Sequence, residues 1–429
     1  MNGKILAVLA GIGMGSVGAV CAAVLDNGSI TVEVSGDGSI GSFQYPASGV
    51  NHLTGCKMYL RYGTGAEPLH YTEKLTATEK AYDSADLFTG YGREQADSSN
   101  FFVCSASYLD PGKTYVDQTI VVLTKQHQNT IAFSCYFDPK IMGEPQNDMG
   151  SHNIANNMIS IYKGVDPNST NLGLVATLGG MFPGTGNWTL NNPATVLQEL
   201  RQNAPTAPSP IVNDTNDMAG AVVWPTVTAD DAPKVLCTRL IIANSDGLAQ
   251  GYTSFPNDDA ARRVHVLDIA KITPKKFTFK QNFKKAKADK LTLVAELDLA
   301  SYTNFASLSS LDVSLFMADY ISLTPTASPS VDKPNKRVYK LDTPDGKTTL
   351  TLKLKKGKVK LSLNLRKTTL TPATYLTTSS PNNGEILMPF AMVFTGTSAD
   401  PAKNGISWIV AKSYNVKYKR QKDTVKSVK

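Results

Sequence analysis

The stretch TLTLKLKKGKVKLSLNL, residues 349–365, carries five lysines in seventeen residues. Its leucines and its lysines never share a phase within a segment. Leu350, Leu352 and Leu354 alternate with Thr349, Thr351, Lys353 and Lys355. After KKGK, Val359, Leu361, Leu363 and Leu365 alternate with Lys358, Lys360, Ser362 and Asn364. A period of two puts successive side chains on opposite faces of a strand. The stretch therefore predicts a hairpin with leucines inward, a basic turn at Lys356, and Lys353, Lys355, Lys358 and Lys360 in solvent.

The same design occurs upstream in KKFTFKQNFKKAKADKLTLVAELDL, residues 275–299. There Phe277, Phe279 and Phe283 share one parity, and so do Leu291, Leu293, Ala295, Leu297 and Leu299, the two groups joined by a Lys-rich connector. Further alternating segments at 311–322, 336–342, 386–396 and 406–418 predict a basic β-sandwich domain over 271–416. The chain beyond, 417–429, has little apolar content and is expected to be a disordered basic tail.

The charge of the 429-residue chain is divided in the same place. Residues 271–429 hold 28 Lys and Arg against 11 Asp and Glu, whereas residues 1–270 hold 15 against 25. The net charge of +7 conceals this split. The earlier part also alternates, around Ile30-Val32-Val34, Cys56-Met58-Leu60, and at 100–108, 118–125, 129–137, 156–163, 219–225, 234–243 and 263–269. It reads as an acidic β-sandwich domain over 24–270, with a Pro/Ser/Asn-rich connection at 204–218. One helix is expected, in NNPATVLQELRQNAP (191–205), with Asn192 as cap, Pro193 at its first position and Val196, Leu197 and Leu200 as its apolar face. The fold class is all-β: two sandwich domains, jelly-roll or immunoglobulin-like, with one short helix in the first.

The N-terminus reads as a signal peptide over 1–23, in which Lys4 precedes an apolar run and a small-residue site at Val20-Cys21-Ala22-Ala23. Nothing else approaches the length of a membrane-spanning helix. The expected location is secreted, extracellular or cell-surface, with the periplasm as a variant. The remaining cysteines, Cys56, Cys104, Cys135 and Cys237, allow two disulfides in three pairings. The first three sit on apolar phases, which fits buried free thiols equally well.

Motifs for chemistry are sparse. The five histidines show no metal spacing, and no nucleophile elbow, phosphate loop or dinucleotide fingerprint occurs. The adjacent carboxylates Asp230-Asp231 and Asp258-Asp259 face opposite ways on a strand or are solvated in a loop, and nothing in them points to the paired carboxyls of a glycosidase. No cofactor is expected. Asp214, Asn216 and Asp217 are the candidate ligands for a loop calcium, outside the EF-hand register. Trp188, in GTGNWTLNN (184–192), is the candidate platform for stacking a sugar.

Residues 271–420, through the two hairpins quoted above, resemble Lys-rich β-sandwich modules of large secreted or cell-surface bacterial proteins. The resemblance implies an extracellular, structural or adhesive role and supplies no catalytic residues. The expected function is non-enzymatic: surface structure, adhesion or binding, with Lys353, Lys355, Lys356, Lys358 and Lys360 as ligand-binding candidates. The alternative is a carbohydrate-binding module of a polysaccharide-active system. The expected partner is an anionic cell-envelope polymer or a second copy of the chain, with a glycan as the third candidate. Nucleic acid is disfavoured, because few aromatics interleave with the lysines. Lysines that only blunt strand-to-strand aggregation would give the same local sequence.

Overall fold

The computed structural model describes residues 22–428 apart from 36–38, 48, 65–69, 72–74, 84–86, 95–100, 125–128, 144–147, 154–157, 164–173, 182–186, 203–210, 214–216, 226, 230–233, 245–263, 268–271, 298–307, 318–328, 344–345, 371–375 and 399–405. The segment 1–23 read as a signal peptide lies outside the described residues except for Ala22 and Ala23, which open the first strand, Ala22–Asp26.

The chain is all-β, with three sheets of nine, nine and eleven strands. Among the described residues every pairing is antiparallel except one: Val264–Leu267 runs parallel to Ile406–Gln421. That strand precedes the charge boundary near 270 yet belongs to the third sheet.

The first two sheets share one apolar core. Leu25, Val32, Phe43, Cys56, Phe133, Phe137 and Val222 from one side meet Ile159, Leu178, Leu236 and Leu240 from the other. Close approach is set by glycines. A Cβ on Gly180 would lie 2.5 Å from the Trp224 ring, and one on Gly220 would lie 2.8 Å from Ile159 Cδ1. The helix, Pro193–Gln202, covers the outer face of the first sheet and packs Val196 and Leu200 on Tyr59, Tyr136, Ala219, Ala221 and Val223. Its cap forms as expected: the Thr195 amide donates to Asn192 Oδ1 at 3.0 Å, satisfying one of the unpaired first-turn donors.

In the third sheet, strands Ile272–Asn282, Asp289–Leu297, Lys358–Thr368, Gly346–Lys355 and Lys336–Thr343 lie side by side. Leu350, Leu352, Leu361 and Leu363 are at most 1% exposed, so the alternation sorts as expected. The hairpin 346–368 turns through Lys356 and Gly357, both at positive φ (52° and 72°), between the paired Lys355 and Lys358. A two-residue loop with both φ positive matches the right-handed twist of the flanking strands. Among the described residues this sheet's eleven strands include Val264–Leu267, from before the basic region, and Thr424–Ser427, from the tail.

The tail expected to fray is ordered instead. Ile406–Gln421 continues past residue 416, turns at Lys422-Asp423, and returns as Thr424–Ser427. This last strand fills the slot between Ile406–Gln421 and Ile272–Asn282, hydrogen-bonding on both sides. One apolar residue, Val425, is fully buried there. Backbone pairing on two edges anchors a segment whose composition alone reads as disordered.

The alternation makes an asymmetric prediction for neighbouring residues of one strand. Leu352→Ala should cost about 2–5 kcal/mol of stability, as other buried leucine truncations do. Lys353→Ala should stay within about 0.5 kcal/mol, as an exposed substitution. Urea denaturation of the two variants measures both, and equal losses would contradict this packing.

Candidate functional site

The register of the third sheet brings together cations that are far apart in the chain. Directly paired residues in adjacent strands point to the same face. Lys419 pairs Lys426, Lys426 pairs Lys280, Lys280 pairs Lys290, Lys290 pairs Arg366, and Arg366 pairs Lys347. All six are exposed. They form one row of six cations crossing six strands, ended by Asp342 at the next position. At about 4.8 Å per strand the row is about 24 Å long.

A second row lies at the opposite end of the same face. Lys360 pairs Lys353, Lys353 pairs Lys336, and Lys336 pairs Lys333, with Glu296 at the inner end. Lys355 and Lys358 extend it to the hairpin tip. Of the residues singled out in sequence, Lys353, Lys355, Lys358 and Lys360 therefore share a surface, with Lys356 at its tip. Lys347 and Lys353 are six residues apart on one strand, so the rows are separated by about 20 Å.

Between the rows the central strands present uncharged side chains on this face, flanked by exposed Lys340, which pairs Thr349, and exposed Lys276, which pairs Val294. Thr278, Thr292, Asn364 and Thr349 form one cross-strand line, and Ser362 and Thr351 lie in the next. Thr292 donates to Asn364 Oδ1 at 3.1 Å, and Asn364 Nδ2 reaches Ser362 Oγ at 3.5 Å. These side chains are half-buried in the carpet formed by their neighbours.

The turn 282–289 holds the six-cation end rigidly. Asn282 Oδ1 accepts from the amides of Lys284 and Lys285, at 3.0 and 2.8 Å. Asp289, only 1% exposed, accepts from the amides of Asn282 and Leu370, both at 2.6 Å. Burial pushes its carboxyl up from the usual range, and the two amides pull it back. Lys284 Nζ lies 2.8 Å from Asp423 Oδ2, and that contact raises its ammonium above the ordinary value.

Four lysines take backbone positions that favour glycine or asparagine. Lys287, Lys356, Lys367 and Lys422 have φ of 57°, 52°, 56° and 50°. Lys367 is the extra residue of a bulge, where Asp289 pairs Thr368 and Lys290 pairs Arg366. Left-handed backbone at a residue with a Cβ costs on the order of 1–2 kcal/mol.

Other candidates read from sequence are placed elsewhere. Trp188 is 5% exposed, within the core between the first two sheets, and pairs Val222. Its polar neighbours belong to the other face, where Thr189 donates to Glu199 of the helix. Its ring offers no open platform. Cys56, Cys135 and Cys237 are buried free thiols. The Cys56 and Cys135 sulfurs lie 3.7 Å apart, and that contact, with burial, raises the Cys135 thiol well above its ordinary value. The side chain of Cys104 lies outside the described residues, as do Asp214 and Asn216. Asp217 is half-buried. Among the described residues no group of three His, Cys, Asp or Glu could hold a metal ion.

The second sheet carries one buried ionic cluster. Arg239 Nε and Nη2 each donate to Asp117 at 2.5 Å, and the guanidinium lies 3.8 Å over the Tyr115 ring. Tyr115 donates to Asp110 at 2.9 Å, and Tyr108 to Asp117 at 3.2 Å. A paired charge of this kind is a satisfied structural group. His52, 3% exposed, links Tyr45 to Met142 through both ring nitrogens, and burial lowers its pKa.

No family model matches the sequence, and no curated protein matches it. Among solved structures the chain is similar to a bacterial glucoamylase complexed with acarbose, at 11% identity and TM-score 0.39, over 56% of this chain and 35% of that one. It is similar to an inverting mannosidase from Bacteroides thetaiotaomicron, at 7% identity and TM-score 0.30, over 57% and 31%. It is also similar to a 4-alpha-glucanotransferase from Thermococcus litoralis, at 7% identity and TM-score 0.31, over 51% and 37%. The chain thus spans about a third of the length of each enzyme. At these scores the likeness carries no argument about activity.

The cation row has a measurable consequence for the protein alone. Like charges placed directly opposite each other destabilise a sheet. Arg366→Gln, between Lys290 and Lys347 in the row, should raise stability by about 0.2–1 kcal/mol at low salt. The gain should vanish at 1 M salt, where screening reaches about 3 Å. Lys356→Asn should stabilise by up to about 1 kcal/mol at any salt, because it relieves backbone rather than charge. Denaturation at two ionic strengths separates these outcomes.

Proposed function

We propose that this is a non-catalytic binding protein of the cell exterior, whose third sheet holds an anionic polymer on its exposed face. The six-cation row carries the reading. Lysines that blunt aggregation belong on edge strands. Here Lys280, Lys290, Arg366 and Lys347 stand on interior strands, between the edges Leu308–Met317 and Val331–Lys333. A surface tuned for solubility intersperses both signs. One sign in unbroken succession concentrates potential and attracts a polymer of the other sign.

Export accords with the signal-like N-terminus, and among the described residues no helix is long and apolar enough to cross a membrane. Binding without turnover accords with the state of the buried carboxylates. Asp117, Asp289 and Glu199 are each committed to a structural partner.

Retention of the full chain on a carboxylated anionic matrix tests this. It should bind at low salt and elute as salt rises, with log affinity falling linearly against log salt. The double variant Lys290→Gln/Arg366→Gln should elute earlier, with the salt slope reduced by about two. Flow-through at low salt, or unchanged elution of the double variant, would overturn the proposal.

A further inference from the structure

We infer that the polymer is a carboxylated polysaccharide lying across the strands, along the six-cation row and over the hydroxyl band beside it. This rests on the polyanion reading and adds the chemistry of the chain that is held.

Direction comes from the register. The cations recur once per strand, about every 4.8 Å, along the line perpendicular to the strands. An extended polyuronate carries one carboxylate per pyranose ring, a repeat close to the strand spacing. Successive rings are turned about the chain axis, so the carboxylates on the side facing the sheet meet every second or third cation of the row. A polymer running along Gly346–Lys355 or Lys358–Thr368 would meet one cation and then a neutral stretch of about 20 Å before the next row.

Chemistry comes from the adjoining band. Thr278, Thr292, Asn364 and Thr349 run parallel to the row, two residues or about 7 Å from it. The Thr292–Asn364–Ser362 contacts fix these groups in place. A sugar ring with its carboxylate on the row turns its hydroxyls toward this band. Each hydroxyl both donates and accepts, which matches Thr and Asn side chains. Polyphosphate has no hydroxyls to offer there.

Nucleic acid fits less well. No aromatic side chain stands in the six-cation row or in the adjoining Thr/Asn line, so bases find no stacking platform. A flat sheet face also inserts nothing into a groove.

The test is a titration of the full chain, at one ionic strength, with polygalacturonate, with polyphosphate and with oligothymidylate of matched charge. Polygalacturonate should bind at least about tenfold more tightly than the others, the worth of one or two hydrogen bonds. The band variant Thr292→Val/Asn364→Leu should lose that advantage while its polyphosphate affinity holds. The row variant Lys290→Gln/Arg366→Gln should weaken all three. Circular dichroism and a denaturation curve check the fold of each variant, and Thr292→Ser/Asn364→Gln, which keeps the polar groups, should retain the preference. Equal, salt-sensitive affinity for all three polymers would overturn the polysaccharide inference and leave the polyanion reading standing. Binding to none would overturn both. A band variant that weakens every polymer equally would also overturn the inference.

Discussion

A slip of Gly346–Lys355 by one residue against Lys358–Thr368 would turn Leu350 and Leu352 into water and Lys347, Lys353 and Lys355 toward the core. Such a slip exchanges the two faces of a strand completely. At about 2 kcal/mol for each leucine moved, register in this hairpin is fixed with a wide margin. The tight turn at Lys356-Gly357 and the bulge at Lys367 set the same register from its two ends. Everything on the exposed face follows from that alignment. The leucines hold the cations in line although the cations repel one another.

The first two sheets obey a different constraint. Their strands are buried on both faces over much of their length, as in Lys234–Ala243, where eight consecutive residues are buried. Such strands lose clean alternation. Packing is then set by close approaches, such as Trp224 on Gly180 and Leu190 on Gly150 and Gly220. A buried polar side chain in this setting needs a partner, and Asp117 and Arg239 supply each other. In this part of the molecule the buried Asp117–Arg239 pair is satisfied internally.

Much of this was legible in the sequence, and what was not has a common cause. The hairpin 346–368, the capped helix and the inward leucines follow from local period and local chemistry. Lys353, Lys355, Lys358 and Lys360 could be assigned to solvent for the same reason. The six-cation row could not, because its members come from six strands between residues 280 and 426, and only strand order aligns them. Parity gave a partial signal, since Lys280 and Lys290 each oppose the apolar phase of their own strands. Trp188 was misplaced because its polar neighbours in sequence occupy the opposite face in space. The tail was misread because a segment paired on both edges needs little apolar content of its own, and Val425 suffices.

Local preference and global arrangement agree across most of the third sheet, and they disagree at its cations. Lysines take left-handed positions that asparagine or glycine would fill at lower energy, and cations oppose cations across interior strands. Sequences that specify one fold are locally consistent, and persistent local conflict concentrates where function demands it. A purely structural sheet would lose nothing by placing Thr, Glu or Asn at these positions, and it would gain stability. The two conflicts are physically independent, one being backbone strain and the other charge repulsion. The repulsion falls on the row itself, whereas the strain falls at Lys287, Lys367 and Lys422 near one end of the face and at Lys356 at the opposite hairpin tip.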